Sequence, residues 1–188
     1  RTPEDLAAYT PPDPAHNPLL KAVRLAKKRC PDRAIVMLSR AVFAASWYLV
    51  GMEKLLVSYI TEPDFVRDVA RMTVDYHKRL CELAVEAGAD VIILTDDYAH
   101  KTGAFMSPPQ FNEFVLPGLT EVVDAVKRAG GYCIKHTDGS IWEIIDPIVQ
   151  SGIDGLGPLE PAAGMDLGEV RKHSGNLCLV GNIDVDLL

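Results

Sequence analysis

Four short polar clusters each stand where an apolar run stops: "DDYAH" after "VIILT", "HTDG" after "GYCIK", "EP" after "GLGPL", and "NID" after "CLVG". His136 and Asp138 are two residues apart. On extended backbone that spacing puts both side chains on one side. An imidazole and a carboxylate so placed could share one cation, or the carboxylate could orient the imidazole as an acid or base. The competing reading is a turn at Asp138–Gly139 with a helix cap, but Ser140 can cap unaided. Asp96 and Asp97 are neighbours, so they point to opposite sides: at most one reaches a site while the other ties the loop. Glu160 ends an apolar run with no basic neighbour; burying it unpaired would be costly, so it meets solvent or a cation. Asn182 and Asp184 occupy the equivalent place one unit later and read equally well as turn residues. His100, in the loop after the acid pair, reads equally well as a surface histidine. His136, Asp138 and Glu160 together form an N/O donor set compatible with zinc, manganese or iron. No second Cys or His stands at a chelating spacing.

These clusters need elements to position them. Residues 1–18 carry five prolines and no periodicity, which predicts loop. A helix follows over 19–30, then a short strand over 33–39. Residues 40–60 are mostly helical with a break at Gly51, and "TEPDF" opens a long helix that runs to Gly88. From there strands at 90–95, 131–136, 153–159 and 177–182 alternate with helices at 107–129, 140–151 and 166–174. Alternating strands and helices predict parallel βαβ units, and continuous apolar strands predict a sheet covered on both faces. An open doubly wound sheet and part of a (β/α)8 barrel both fit. Polar groups at the C-terminal end of one strand after another favour the barrel, whose strand ends share one mouth. Five strands make it a partial TIM barrel, forming a single domain over 1–188.

Composition narrows the function classes. The chain has 188 residues, 48% hydrophobic and 24% charged, ordinary values for a soluble globular protein. A net charge of −7 without a basic stripe weighs against nucleic acid as partner. The basic run "KAVRLAKKRCPDR" has helical spacing and reads as a solvated helix face. No apolar run is long enough to cross a membrane. Four dispersed cysteines fit a reducing compartment, so a cytoplasmic location is expected. An Arg start and an end just beyond an apolar strand fit a segment of a longer protein.

Residues 88–188, from "GADVIILTDDYAH" through "SPPQFNEFVLP", "KHTDG" and "AGMDLGEV" to "GNID", resemble the uroporphyrinogen decarboxylase family; residues 33–87 do so less distinctly. The resemblance implies a (β/α)8 barrel, shared by cofactor-free decarboxylases and by zinc-dependent methyltransferases that act on corrinoid-bound methyl groups. The methyltransferase members carry His-x-Cys-Gly where this chain has His136-Thr137-Asp138-Gly139, so Asp138 replaces a thiolate ligand. Glu160 falls near a zinc-binding Glu of the distantly similar cobalamin-independent methionine synthases, whose remaining cysteine ligand would lie beyond Leu188. Decarboxylase members grip substrate with arginines and an aspartate of an N-terminal segment that has no counterpart here. The resemblance thus implies catalytic roles for Asp96, Asp97 and His136, substrate contacts for His100, Asn182 and Asp184, and a metal at His136, Asp138 and Glu160. The first expectation is a metal-assisted methyltransferase with a zinc or other divalent ion, a corrinoid or methyl-donor substrate, a corrinoid-protein partner and room for a homodimer. The second is a metal-free decarboxylase acting on a tetrapyrrole. The third is a binding module or inactive fragment.

Overall fold

The computed structural model describes residues 2–184 and residue 187. The strands are β1 (Val36–Ser39), β2 (Val91–Thr95), β5 (Tyr132–His136), β6 (Gly155–Leu159) and β7 (Cys178–Gly181), with a separate antiparallel hairpin of β3 (Ala99–His100) and β4 (Gly103–Ala104). The five longer strands form one sheet in the order β1-β2-β5-β6-β7, every pair parallel. The helices are α1 (Pro3–Ala8), α2 (Pro18–Arg29), α3 (Phe43–Val50), α4 (Met52–Thr61), α5 (Pro63–Glu86), α6 (Pro108–Gln110), α7 (Leu116–Arg128), α8 (Ile145–Gln150) and α9 (Leu167–Ser174). Such a sheet with its intervening helices is a partial TIM barrel.

α5 shows how the sequence builds the outer layer. Pro63 fits the first turn, where its missing N–H costs nothing. Phe65, Val66, Val69, Val74, Leu80, Cys81 and Ala84 recur at helical spacing and are buried. α5 packs along α7, where a Cβ on Gly118 would come within 2.5 Å of Val74 and 2.7 Å of Val42. Only glycine allows that approach. On the solvent side Arg71 joins α5 to α7 through Glu121 at 2.8 Å.

The two faces of the sheet differ. Register pairs Met37 with Ile92 and Cys133, and Leu94 with Lys135 and Leu156; these residues are buried beneath the helices. The alternate residues, Val36, Leu38 and Tyr132, lie on the opposite face and are 50%, 59% and 64% exposed. The expected cover on both faces is therefore corrected. Helices cover one side, and the apolar other side has the character of a barrel interior, which strands rather than helices line.

Smaller differences have local causes. Residues 1–18 are not all loop: Thr2 and Asp5 make a reciprocal capping box that starts α1, and Asp13 caps a 3-10 turn at Pro14–His16. The loop after Asp97 folds back as the β3–β4 hairpin. The helix expected over 107–129 widens to a π turn at Phe111–Val115. The helix expected over 140–151 forms only at Ile145–Gln150. Gly51, at φ +94°, separates α3 from α4 as its position predicts. No disulfide joins the four cysteines; Cys81 and Cys133 are buried, Cys30 and Cys178 exposed. Among the described residues no helix is long and apolar enough to cross a membrane.

Candidate functional site

The C-terminal ends of β1, β2, β5 and β6 bring the polar clusters to one rim. Thr95 pairs with His136, so the residues that follow each strand emerge side by side. His136 Nε2 lies 3.4 Å from Asp97 Oδ1 and 3.7 Å from Asp138 Oδ2. One donor atom from each of the three falls within 4.8 Å of the others. Asp97 and Asp138 are exposed and His136 half-buried, so a ligand can reach all three. The two carboxylates have moved apart in acidity. The hydrogen bond from His136 is the main cause that holds Asp97 below the usual carboxylate range. Desolvation, and then the charge of Asp97, push Asp138 above it.

Backbone contacts fix this geometry. Asp97 Oδ1 accepts the Asp138 N–H at 3.2 Å, and Thr137 Oγ1 accepts the Tyr98 N–H at 2.9 Å. The Ser140 N–H reaches the His100 carbonyl at 2.9 Å. Gly139 permits the crossing: its φ is +80°, and a Cβ there would stand 2.6 Å from that carbonyl. The "DDYAH" and "HTDG" segments are thus laced into one unit.

The other sequence candidates are placed differently. Asp96 is fully buried, and its carboxylate accepts the N–H groups of Ala41, Val42 and Phe43 at 3.3, 2.8 and 3.2 Å, capping the entry to α3. It ties the chain while Asp97 faces the mouth. Glu160 lies beside the cluster and is not one of its three members. Its Oε2 accepts the Gly139 N–H at 3.1 Å, so it supports the loop that carries Asp138. Asn182 donates to the carbonyls of Leu159 and Met165 at 2.6 and 2.9 Å and joins the end of β6 to the loop before α9. His100 sits on the exposed hairpin, its Nδ1 3.0 Å from Thr102 Oγ1 and its ring against Phe105. Asp184 lies half-buried past β7, outside the cluster.

Lys135 was missed by sequence reasoning. It is fully buried on the helix side, with Nζ donating to the carbonyls of Leu94 at 3.3 Å, Asp96 at 2.5 Å, and His136. Its ammonium also lies 4.0 Å from the Tyr98 ring centroid. Burial pushes its pKa down to about 8, against the pull of Asp96 and Asp97. The available signal was a lysine one residue before His136 inside an apolar run. Arg40, just past β1, was missed as well. It borders a cleft of about 350 Å³ lined also by Phe43, Trp47, Thr95, Asp97 and Phe105.

The uroporphyrinogen decarboxylase (URO-D) family model matches residues 1–188, the whole chain. The chain belongs to the uroporphyrinogen decarboxylase family. Two relatives named uroporphyrinogen decarboxylase share this family's sequence. That of Aliarcobacter butzleri (strain RM4018) is 25% identical over 141 residues, covering 68% of this chain and 39% of the relative. That of Geotalea daltonii (strain DSM 22248 / JCM 15807 / FRC-32) is 28% identical over 104 residues, covering 55% and 28%. This member of the uroporphyrinogen decarboxylase family also superimposes on a methyltransferase from Methanosarcina mazei, with a TM-score of 0.78 at 24% identity over 88% of this chain and 48% of that one. That likeness shows the shared fold. The chain spans less than half the length of each of these proteins.

Proposed function

We propose that this chain forms the metal-binding part of a methyltransferase-like enzyme, with Asp97, His136 and Asp138 holding a divalent cation. The observation that carries the reading is the pair of carboxylate oxygens 3.4 and 3.7 Å from one imidazole nitrogen. Ligand atoms around a tetrahedral ion with bonds near 2.1 Å lie about 3.4 Å apart, close to both separations from the imidazole nitrogen. An N/O set with open positions suits zinc; a carboxylate in place of a thiolate makes the site harder and widens the choice to manganese or iron. When bound, such an ion would polarise a thiol, alkoxide or water and lower its pKa.

The chain's own residues do the rest. Asp97, held ionised, supplies the first negative charge and keeps the Nε2 edge of His136 turned to the mouth. A cation is held only by deprotonated ligands, so ion binding weakens as pH falls. Glu160 and Gly139 hold the Asp138 loop in place. A corrinoid-bound methyl group with a thiol or similar acceptor is the substrate pair this reading calls for, and a corrinoid protein the partner.

Calorimetric titration with zinc at pH 7 tests it. The expected result is one site per chain in wild type, lost in His136→Ala. Equal, negligible binding in both would remove the mechanism.

A second reading has support in the opposed acidities of the two carboxylates. Asp138, more readily protonated, could donate a proton to a pyrrole intermediate while Asp97 stays ionised, as a metal-free decarboxylase would need. Coproporphyrinogen formation by the full-length protein without added metal would favour it.

A further inference from the structure

The ladder between β2 and β5 breaks at the residues that form the site. The Tyr132 N–H donates to the Asp90 carbonyl at 3.0 Å, and the register seats Leu94 beside Lys135 and Thr95 beside His136. In a parallel ladder the donors that face one neighbour recur at every second residue, evenly spaced. Equal steps run from Tyr132 to Asp138 and from Asp90 to Asp96, so the next rung would join the Asp138 N–H to the Asp96 carbonyl. That rung is replaced. The Asp138 N–H goes to Asp97 Oδ1 at 3.2 Å. On its other side β5 pairs on past its end, with the Thr137 N–H reaching the Gly157 carbonyl of β6 at 2.9 Å.

A side chain takes the acceptor that the ladder gives up. Lys135 Nζ donates to the Asp96 carbonyl at 2.5 Å, to that of Leu94 at 3.3 Å, and to that of His136. An ammonium has three donors, so these acceptors use them all. The Tyr98 ring, its centroid 4.0 Å from Nζ, closes the pocket around it. Asp96 is held from the opposite direction too, because its carboxylate accepts the Val42 N–H at 2.8 Å. Lys135 and Asp96 are both fully buried, so neither touches a substrate. An apolar residue at 135 would leave the Asp96 carbonyl without this donor. A buried carbonyl left unpaired costs about as much as a lost hydrogen bond, and the backbone donor in register with it is the Asp138 N–H.

We propose that Lys135 is a positioning residue of the mouth: by occupying the Asp96 carbonyl it keeps the Asp138 N–H for the Asp97 carboxylate, which thereby stands against His136. Without it the ladder closes by one rung and Asp97 is released. The consequence for ion binding rests on the reading of Asp97, His136 and Asp138 as a cation site, whereas the exchange of hydrogen bonds can be followed with no metal present. Charge and position act in opposite directions here. An ammonium behind the site repels a dication, so its removal would tighten binding if charge alone mattered; loss of position weakens it.

NMR couplings across hydrogen bonds, measured on isotope-labelled protein before cobalt(II) is added, report which oxygen the Asp138 N–H meets. Wild type should couple the Asp138 nitrogen to the side-chain carboxyl carbon of Asp97. Lys135→Met should couple it to the Asp96 carbonyl carbon and bind cobalt(II) about tenfold or more weakly. Lys135→Gln keeps an N–H donor and should fall between the two in affinity. Val69→Ala, buried in α5, should lose stability yet keep both the coupling and the affinity. Coupling of Asp138 to the Asp96 carbonyl in wild type, which needs no variant to fold, would overturn the proposal. So would an unchanged Asp97 coupling or tighter cobalt binding in Lys135→Met, or a matching loss in Val69→Ala. Couplings as expected with no cobalt bound by wild type would support the positioning role and sink the metal reading alone.

Discussion

At the residue scale, two adjacent acids have opposite fates. Alternation along extended backbone predicts that only one of Asp96 and Asp97 can face the mouth, and the structure decides which. Asp96 is buried with backbone N–H groups on both oxygens. Its replacement by alanine leaves those donors unpaired, so Asp96→Ala should cost about 3 kcal/mol in urea unfolding, with Asp96→Asn milder because its amide oxygen still accepts. Asp138 predicts the reverse sign. Its folded pKa is raised, so its ionised form is disfavoured in the fold; that contribution is absent below the unfolded value and becomes a cost as pH rises through the folded one. Asp138→Asn should therefore raise the melting temperature at neutral pH and have no effect in acid, read by calorimetry across the carboxylate range. What hid the roles of Asp96 and Glu160 is that both are satisfied by backbone N–H groups distant in sequence, which no local spacing reports.

At the element scale, strand positions were legible and the lacing between them was not. Apolar runs bounded by turn residues locate all five strands to within two or three residues. The β3–β4 hairpin escaped because its strands are two residues each and Gly103 takes φ +155° with no flanking alternation. The ends of β2 and β5 are joined by Lys135, whose three acceptors are Leu94 in β2, Asp96 just past it and His136 in β5. Lys135→Met should lower stability by about 2 kcal/mol at pH 7 by stranding those carbonyls. A second signature is its pH dependence. The lysine's folded pKa, about 8, is below its unfolded 10.5, so between those values the unfolded chain holds more protons. Wild-type stability should rise relative to Lys135→Met through that window in parallel urea melts.

At the scale of the whole molecule, the parallel order and the gathering of polar groups at one rim follow from patterns visible in the sequence. The identity of the third cluster member does not. Glu160 and Asp97 both end or follow apolar strands, and only the register that seats Thr95 beside His136 brings Asp97 to the imidazole. The open inner face of the sheet, with Val36, Leu38 and Tyr132 exposed, agrees with a chain that spans 48% of a methyltransferase of the same fold. The most direct test of the account asks which acids complete the site with His136. Cobalt(II) added to wild type, Asp97→Asn, Asp138→Asn and Glu160→Gln should give the visible d–d absorption of a low-coordinate N/O site. The account predicts that Glu160→Gln keeps this absorption, since its amide oxygen still accepts the Gly139 N–H, while Asp97→Asn and Asp138→Asn lose it. Retention in Asp97→Asn with loss in Glu160→Gln would contradict it.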